Sequence, residues 1–322
     1  MTPGAKRTLR VVATLALLIL IVYFYSLQVL DNWAALQNFR LEFKLHYLAS
    51  ALILYLAGYL LDTYAWQVCM NRGRRGIDLD FPQSLAVLHG SGLMKYLPGR
   101  IWSYTAQLVW LRKYGFGAPV ILFVNLISIL GSMFVSVCFG LIYLAAYLSR
   151  LSLATAALAF LVLVLLNLAF IKWNTPVMNR IIALVSRLLK KEIEPVQNSS
   201  SLIIIMEIAH TGSWALVAAG AYLLGRGIGV DIPAAQTFAL LSSMAVSWVA
   251  GYVAFILPAG LGVRELIMLS MLQGVVDPRT ALLFPVLTRL MDLLAVVVLG
   301  LLSLYIGVKR GVFASAPISE AK

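Results

Sequence analysis

Charge is what this sequence has least of. Asp, Glu, Lys and Arg together make up 12% of the 322 residues, about half of what a soluble domain usually carries. Acidic residues are the scarcer sign, 13 against 25 basic ones. Cysteine is nearly absent as well. Cys69 and Cys138 both lie in apolar runs with no His or Cys close by, which excludes a disulfide framework and a thiolate zinc site and leaves two small buried hydrophobes. No Gly-rich nucleotide loop, no His/Glu metal spacing and no Ser/His/Asp signature occurs in the sequence. Neither a cofactor nor a metal is therefore expected.

The formal net charge of +12 would suit a nucleic-acid binder, but no continuous basic face or aromatic platform accompanies it. The basic residues sit instead in short loops between apolar runs, as in Arg72, Arg74 and Arg75, Arg112-Lys113 and Lys309-Arg310. That distribution sets membrane orientation.

What the sequence has in abundance is hydrocarbon: 61% hydrophobic residues and a mean hydropathy of +0.92. The apolar runs recur at lengths that can cross a bilayer, so the class is an all-α polytopic membrane protein, one membrane domain over 1–322. Full spans are expected at about 9–30, 46–70, 118–148, 151–171, 201–224 and 281–308. Lys6, Arg7 and Arg10 precede the first run and no small-residue cleavage site follows it, so it reads as an uncleaved span. Between Val177 and Leu189 basic and apolar residues alternate at helical spacing, and 172–200 reads as a cytoplasmic amphipathic linker on the inner leaflet or, equally, a solvated linker helix.

Two segments are interrupted. Pro98-Gly99 divides 83–112, and Leu257-Pro258-Ala259-Gly260-Leu261-Gly262-Val263-Arg264-Glu265 divides 236–273. The pieces 83–97 and 100–112 reach about 20 Å each at about 1.5 Å per residue, short of a hydrocarbon core about 30 Å thick. Both segments therefore read as re-entrant hairpins, although 236–257 is long enough to cross by itself. Hydropathy counts the whole as about eight spans: six full ones and two hairpins. With both termini cytoplasmic, the first hairpin enters from inside and the second from outside. The units 46–148 and 201–308 then form an inverted-topology repeat, an arrangement that puts a binding site near the bilayer midplane.

Ionisable groups at membrane depth are expensive and face the bundle interior. The candidates are Lys95, Arg100, Arg264 and Arg289 on the basic side, and Asp62, Glu207, Glu265 and Asp292 on the acidic side, with Asp62 and Glu207 placed nearer span ends. Arg289 and Asp292 share a helical face at i, i+3 and can neutralise each other or meet Arg264 and Glu265. Arg100 and Arg264 each follow a break, at Pro98 and Gly99 and at Pro258, Gly260 and Gly262, where a helix N-terminus favours an anion. Two such arginines, with Lys95 one turn before its break, make a phosphate-type binding site; mutual pairing that only clips helices together is the plainer alternative. His89 reads as a hydrogen-bonded packing residue. Gly90-Ser91-Gly92 and Ser242-Ser243 read as close-packing positions, and Trp33, Trp102, Trp110 and Trp173 as interface residues.

The stretch Pro258–Glu265 closely resembles the signature of the lysylphosphatidylglycerol synthase/flippase membrane-domain family, and Leu97-Pro98-Gly99-Arg100 resembles that family's earlier Pro-Gly motif, the likeness covering about 10–308. The first motif departs from the commoner pattern in having Ile101-Trp102-Ser103 where a Gly and an acidic residue often follow. Only a short tail follows Val308, so the resemblance implies a stand-alone flippase-like protein without the synthase domain. It implies no enzyme activity, a place in the cytoplasmic (inner) membrane, and translocation of a lipid with an anionic head group, either a phospholipid or a polyprenol-linked sugar. Two other readings stay open: a polyprenyl-dependent glycosyltransferase using Asp31 or Glu42, and a non-catalytic partner of an envelope-synthesis complex.

Overall fold

The computed structural model describes residues 43–73, 78–96, 101–147, 153–189, 199–230, 233–254, 257 and 260–313, with positions 23, 26, 30 and 195. The expected first span, Asp31, Trp33, Glu42, the Leu97-Pro98-Gly99-Arg100 break and Pro258 lie outside the described residues. Those that are described form α1 (Leu45–Gly73), α2 (Phe81–Gly92) with a 3-10 turn (Leu93–Tyr96), α3 (Ile101–Arg112), α4 (Ala118–Tyr147), α5 (Leu153–Leu189), α6 (Ser199–Gly227), α7 (Ala234–Val253), α8 (Val263–Leu272) and α9 (Pro278–Lys309). Five of these helices, α1, α4, α5, α6 and α9, are long and apolar enough to cross a membrane. The chain is an all-α integral membrane protein.

Local chemistry explains where helices start. Asp80 caps α2 by accepting the Gln83 N–H at 2.7 Å, while Gln83 Oε1 accepts the Asp80 N–H at 3.0 Å; this reciprocal pair satisfies two donors that a helix start leaves open. Asp277 does the same for α9, accepting the Arg279 and Thr280 N–H groups, with Pro278 in the first helical position, where a missing N–H is harmless.

The central packing unit is the antiparallel pair α1–α6. Leu48 lies against Gly227, Tyr55 against Gly220, and Gly58 against Ser213 and Val217; farther along, Cys69 Sγ donates to Leu202 O. Small residues let these backbones approach closely, which is how helices associate where lipid offers no hydrophobic drive. A Cβ on Gly220 would lie 2.7 Å from the Tyr55 ring and 3.0 Å from Ala51 O. Around this pair, α2 packs on α9 and α4 packs on α7.

Two apolar clusters form, one towards each end of the bundle. The first gathers Trp66, Cys69, Met70, Phe116, Phe123 and Leu202. The second gathers Ala51, Tyr55, Leu224, Leu272 and Phe284, and includes Ile228 and Val230 before α7 and Val276 after α8. Polar residues of α1 and α6 lie between the two.

Both ends of the α2–α3 segment meet the C-terminal end of α9: Arg310 pairs with Asp80, and Lys113 Nζ donates to Gly311 O. One helix runs from Leu153 to Leu189, passing Pro176; Asn174 is buried within it, and Met178 and Ile182 continue its contact with the first apolar cluster. Gly90 and Ser91, and Ser242 and Ser243, are buried as close-packing positions should be. Trp102 and Trp173 are exposed.

Gly220→Val tests the α1–α6 contact. The added methyls must displace Tyr55 and Ala51, and such overpacking should lower stability by roughly 1–3 kcal/mol. Thermal unfolding in detergent should show a lower midpoint than wild type, with a smaller loss for Gly92→Ala, whose added carbon meets nothing within 4 Å.

Candidate functional site

At half-height of the bundle the long helices turn polar residues towards one another. Tyr59 is the central residue of α1 and Ser213 of α6; Ser132 and Asp292 sit within one or two residues of the centres of α4 and α9. All four line a cavity of about 240 Å³. A protein that has to satisfy polar groups internally has collected them here.

Four of the sequence candidates meet at this cavity. Asp292 Oδ2 lies 3.6 Å from Arg264 Nη1 and 3.6 Å from Arg289 Nη1, and Glu265 Oε1 lies 3.6 Å from Arg289 Nε. The Tyr59 hydroxyl donates to the other oxygen of Asp292, tying α1 into the network. Each 3.6 Å separation is an ion pair and not a hydrogen bond, so the guanidinium of Arg264 is held by charge without being locked by a close fork. Arg289 is 8% exposed and Asp292 9%; charges this deep persist because they are matched.

The α8 start differs in one respect from the sequence expectation. Gly262, at φ 81°, gives its N–H to Glu265 Oε2 at 2.6 Å. The chain's own carboxylate thus takes one N–H at the helix N-terminus that Arg264 was expected to share with a ligand. Gly260 is also left-handed, φ 68°, and a Cβ there would lie 2.5 Å from Gly251 O. Only glycine fits this close approach of the break to α7.

A second cavity of about 290 Å³ adjoins the first and shares Ser128, Ile129, Trp248, Arg264 and Arg289 with it. Its other wall comes from α3 and α4, where Gln107 and Asn125 are buried; Asn125 Nδ2 donates to Gln107 Oε1 at 2.7 Å, and Gln107 Nε2 donates to Ser91 Oγ at 3.0 Å. The two broken segments touch here, the hydroxyls of Tyr104 on α3 and Tyr252 on α7 lying 3.2 Å apart. The arginines therefore stand between two chambers, the second of them lined by both broken segments.

Of the remaining candidates, Lys95 lies in the turn Leu93–Tyr96 with its side chain outside the described residues, as are Arg100, Pro98, Gly99 and Pro258. Asp62 is not near a span end as expected. It lies one turn from the centre of α1, lines the first cavity, accepts a hydrogen bond from Ser213 Oγ at 2.8 Å and stands 3.0 Å from His210 Nδ1. Glu207 accepts from Asn167 Nδ2 at 3.1 Å. His89 is hydrogen-bonded to Thr63 at 2.8 Å, as a packing histidine should be. Sequence reasoning missed His210, Tyr59 and the Gln107–Asn125 pair. His210 carried a legible signal, a titratable residue inside an apolar span; Tyr59, Gln107 and Asn125 are neutral and carried none. Among the described residues, no group of three His, Cys, Asp or Glu could hold a metal ion.

Long apolar helices enclosing a charged cavity at half-height define an integral membrane protein with an internal polar site. The chain belongs to the family described as "Lysylphosphatidylglycerol synthase TM region", which matches residues 8–300. No curated protein matches it.

The ion-pair network makes a thermodynamic prediction. Asp292→Asn leaves two guanidinium groups short of a counter-charge and should destabilise the protein by about 3 kcal/mol. Adding Arg289→Met should recover part of that loss, giving a non-additive cycle in denaturant unfolding.

Proposed function

We propose that this protein is a flippase-like translocator of an anionic lipid, a phospholipid or a polyprenol-linked sugar, and not an enzyme. The observation that carries the proposal is the position of Arg264 and Arg289 between two adjoining chambers at half-height of the bundle. A head group passing from one chamber to the other would exchange ion pairs with these arginines while its acyl chains stay in lipid. Guanidinium groups suit phosphate because their N–H fork matches its oxygens. Glu265 and Asp292 keep the arginines in place between visits.

The same reading includes two re-entrant hairpins in an inverted repeat. The bonds from Asp80 and Lys113 to residues 310 and 311 support a first hairpin that returns to its own side. The apolar cluster common to Val230 and Val276 supports the same for the second. Packing is also reciprocal: α2 on α9 mirrors α4 on α7, while α1 and α6 pair with each other, as units 46–148 and 201–308 related by a two-fold axis would do. In this reading the termini are cytoplasmic and the membrane is the inner one, with Lys95 and Arg100 on the first hairpin adding to the arginine pair.

Proteoliposomes carrying fluorescent phosphatidylglycerol test the proposal. Wild-type protein should move the lipid between leaflets faster than empty vesicles, and Arg264→Ala should slow it about tenfold or more, the loss expected for a hydrogen-bonded charge. Wild-type rates equal to those of empty vesicles would remove the translocation reading for that lipid class.

A further inference from the structure

The cavity contains a second ionisable pair that the arginine network does not use. His210, 6% exposed, places Nδ1 at 3.0 Å from Asp62 Oδ1 and Nε2 at 3.2 Å from Ser128 Oγ. Asp62 Oδ2 accepts from Ser213 Oγ, and Oδ1 has no aligned hydrogen bond among the described residues. The connectivity Ser128–His210–Asp62 matches that of a nucleophile, base and carboxylate. However, Ser128 lies inside α4, where the neighbouring backbone N–H groups are spent in the helix and cannot stabilise an oxyanion. What the three residues can do is hold and release a proton.

Charge balance assigns that proton a role. In the described lining of the cavity, Arg264 and Arg289 are matched by Glu265 and Asp292, and Asp62 is the carboxylate left over. With His210 neutral the lining carries one net negative charge; with His210 protonated it carries none. An anionic head group entering the unprotonated cavity meets that surplus negative charge. Entering the protonated one, it meets a balanced site. We propose that Asp62 and His210 form a proton site loaded together with the anionic head group, so that a proton gradient drives lipid movement. The proposal rests on the translocation reading above.

The surroundings of His210 favour this assignment. On its own helix Glu207 lies one turn away and faces Asn167 of α5. Across the cavity stand Tyr55 and Tyr59 of α1, Arg264 and Glu265 of α8, and Arg289 and Asp292 of α9. His89 of α2 is held by Thr63. From α4 and α7 the cavity receives only uncharged side chains, such as Ser132, Ser247 and Trp248. Linkage then fixes the sign: a bound anion raises the proton affinity of His210, and the proton raises affinity for the anion by the same factor. A histidine suits the task because its ordinary titration falls close to neutral pH.

The chain has three histidines, His46, His89 and His210, so imidazole NMR signals can be assigned by single substitution. Full-length protein in nanodiscs of zwitterionic lipid is titrated with pH, with and without short-chain phosphatidylglycerol, and with short-chain phosphatidylcholine as the neutral comparison. The His210 midpoint should rise by about one pH unit with phosphatidylglycerol, a tenfold coupling, and stay put with phosphatidylcholine. A midpoint unmoved by phosphatidylglycerol overturns the proposal. In proteoliposomes, fluorescent phosphatidylglycerol should leave the acidic side faster under an imposed pH gradient, and His210→Gln should lose the dependence on the gradient. Lipid movement that ignores the gradient in wild type sinks the proton site and leaves translocation standing. A responsive His210 in a protein that moves no lipid does the reverse.

Discussion

Asp292 sits between Arg264 and Arg289 while accepting a hydrogen bond from Tyr59, and so binds α8, α9 and α1 at one point in the middle of the bundle. A carboxylate at this depth is tolerated only with counter-charges around it, and the guanidinium groups need it for the same reason. Much of the architecture follows from keeping these charges together and away from lipid. The apolar core is divided into two clusters towards the ends of the bundle, because the half-way level is occupied by polar side chains. The break before α8 brings the chain to that level and turns it there, with Gly260 packed on Gly251 and Gly262 capped by Glu265.

The glycine-mediated contact of α1 with α6 complements that arrangement. Close backbones at Gly58 and Gly220 set the two helices together along their length. Their polar residues, Asp62 on one and His210 and Ser213 on the other, are then forced into contact in the gap between the clusters. The cavity consequently has two charged groups of different character. One is the ion-paired set around the arginines. The other is the pair of Asp62 and His210, 3.0 Å apart.

The sequence departed from the observed structure where a residue's partner lies far along the chain. Asp62 looked peripheral because no other charged residue lies within two turns of it; its partners are 148 and 151 positions away, on α6. The N-terminus of α8 looked open to a ligand, yet Glu265, three residues on, folds back onto it. By contrast the pairing of Arg289 with Asp292 and the convergence of Arg264 and Glu265 on them were legible, because a charge in an apolar run has few places to go.

Composition and hydropathy by themselves determined that this is a helical membrane protein, where five of its long helices run, and which second-half charges must face inward. Those outcomes depend on local free energies: transfer of side chains to hydrocarbon, helix capping, and the inability of Pro258 and its glycines to continue a helix. Only the tertiary structure decided that the two broken segments touch through Tyr104 and Tyr252, that the arginines stand between two chambers, and that Asp62 meets His210. These depend on which helix faces display small residues to which neighbours, a property of pairs of helices that no single stretch of sequence contains.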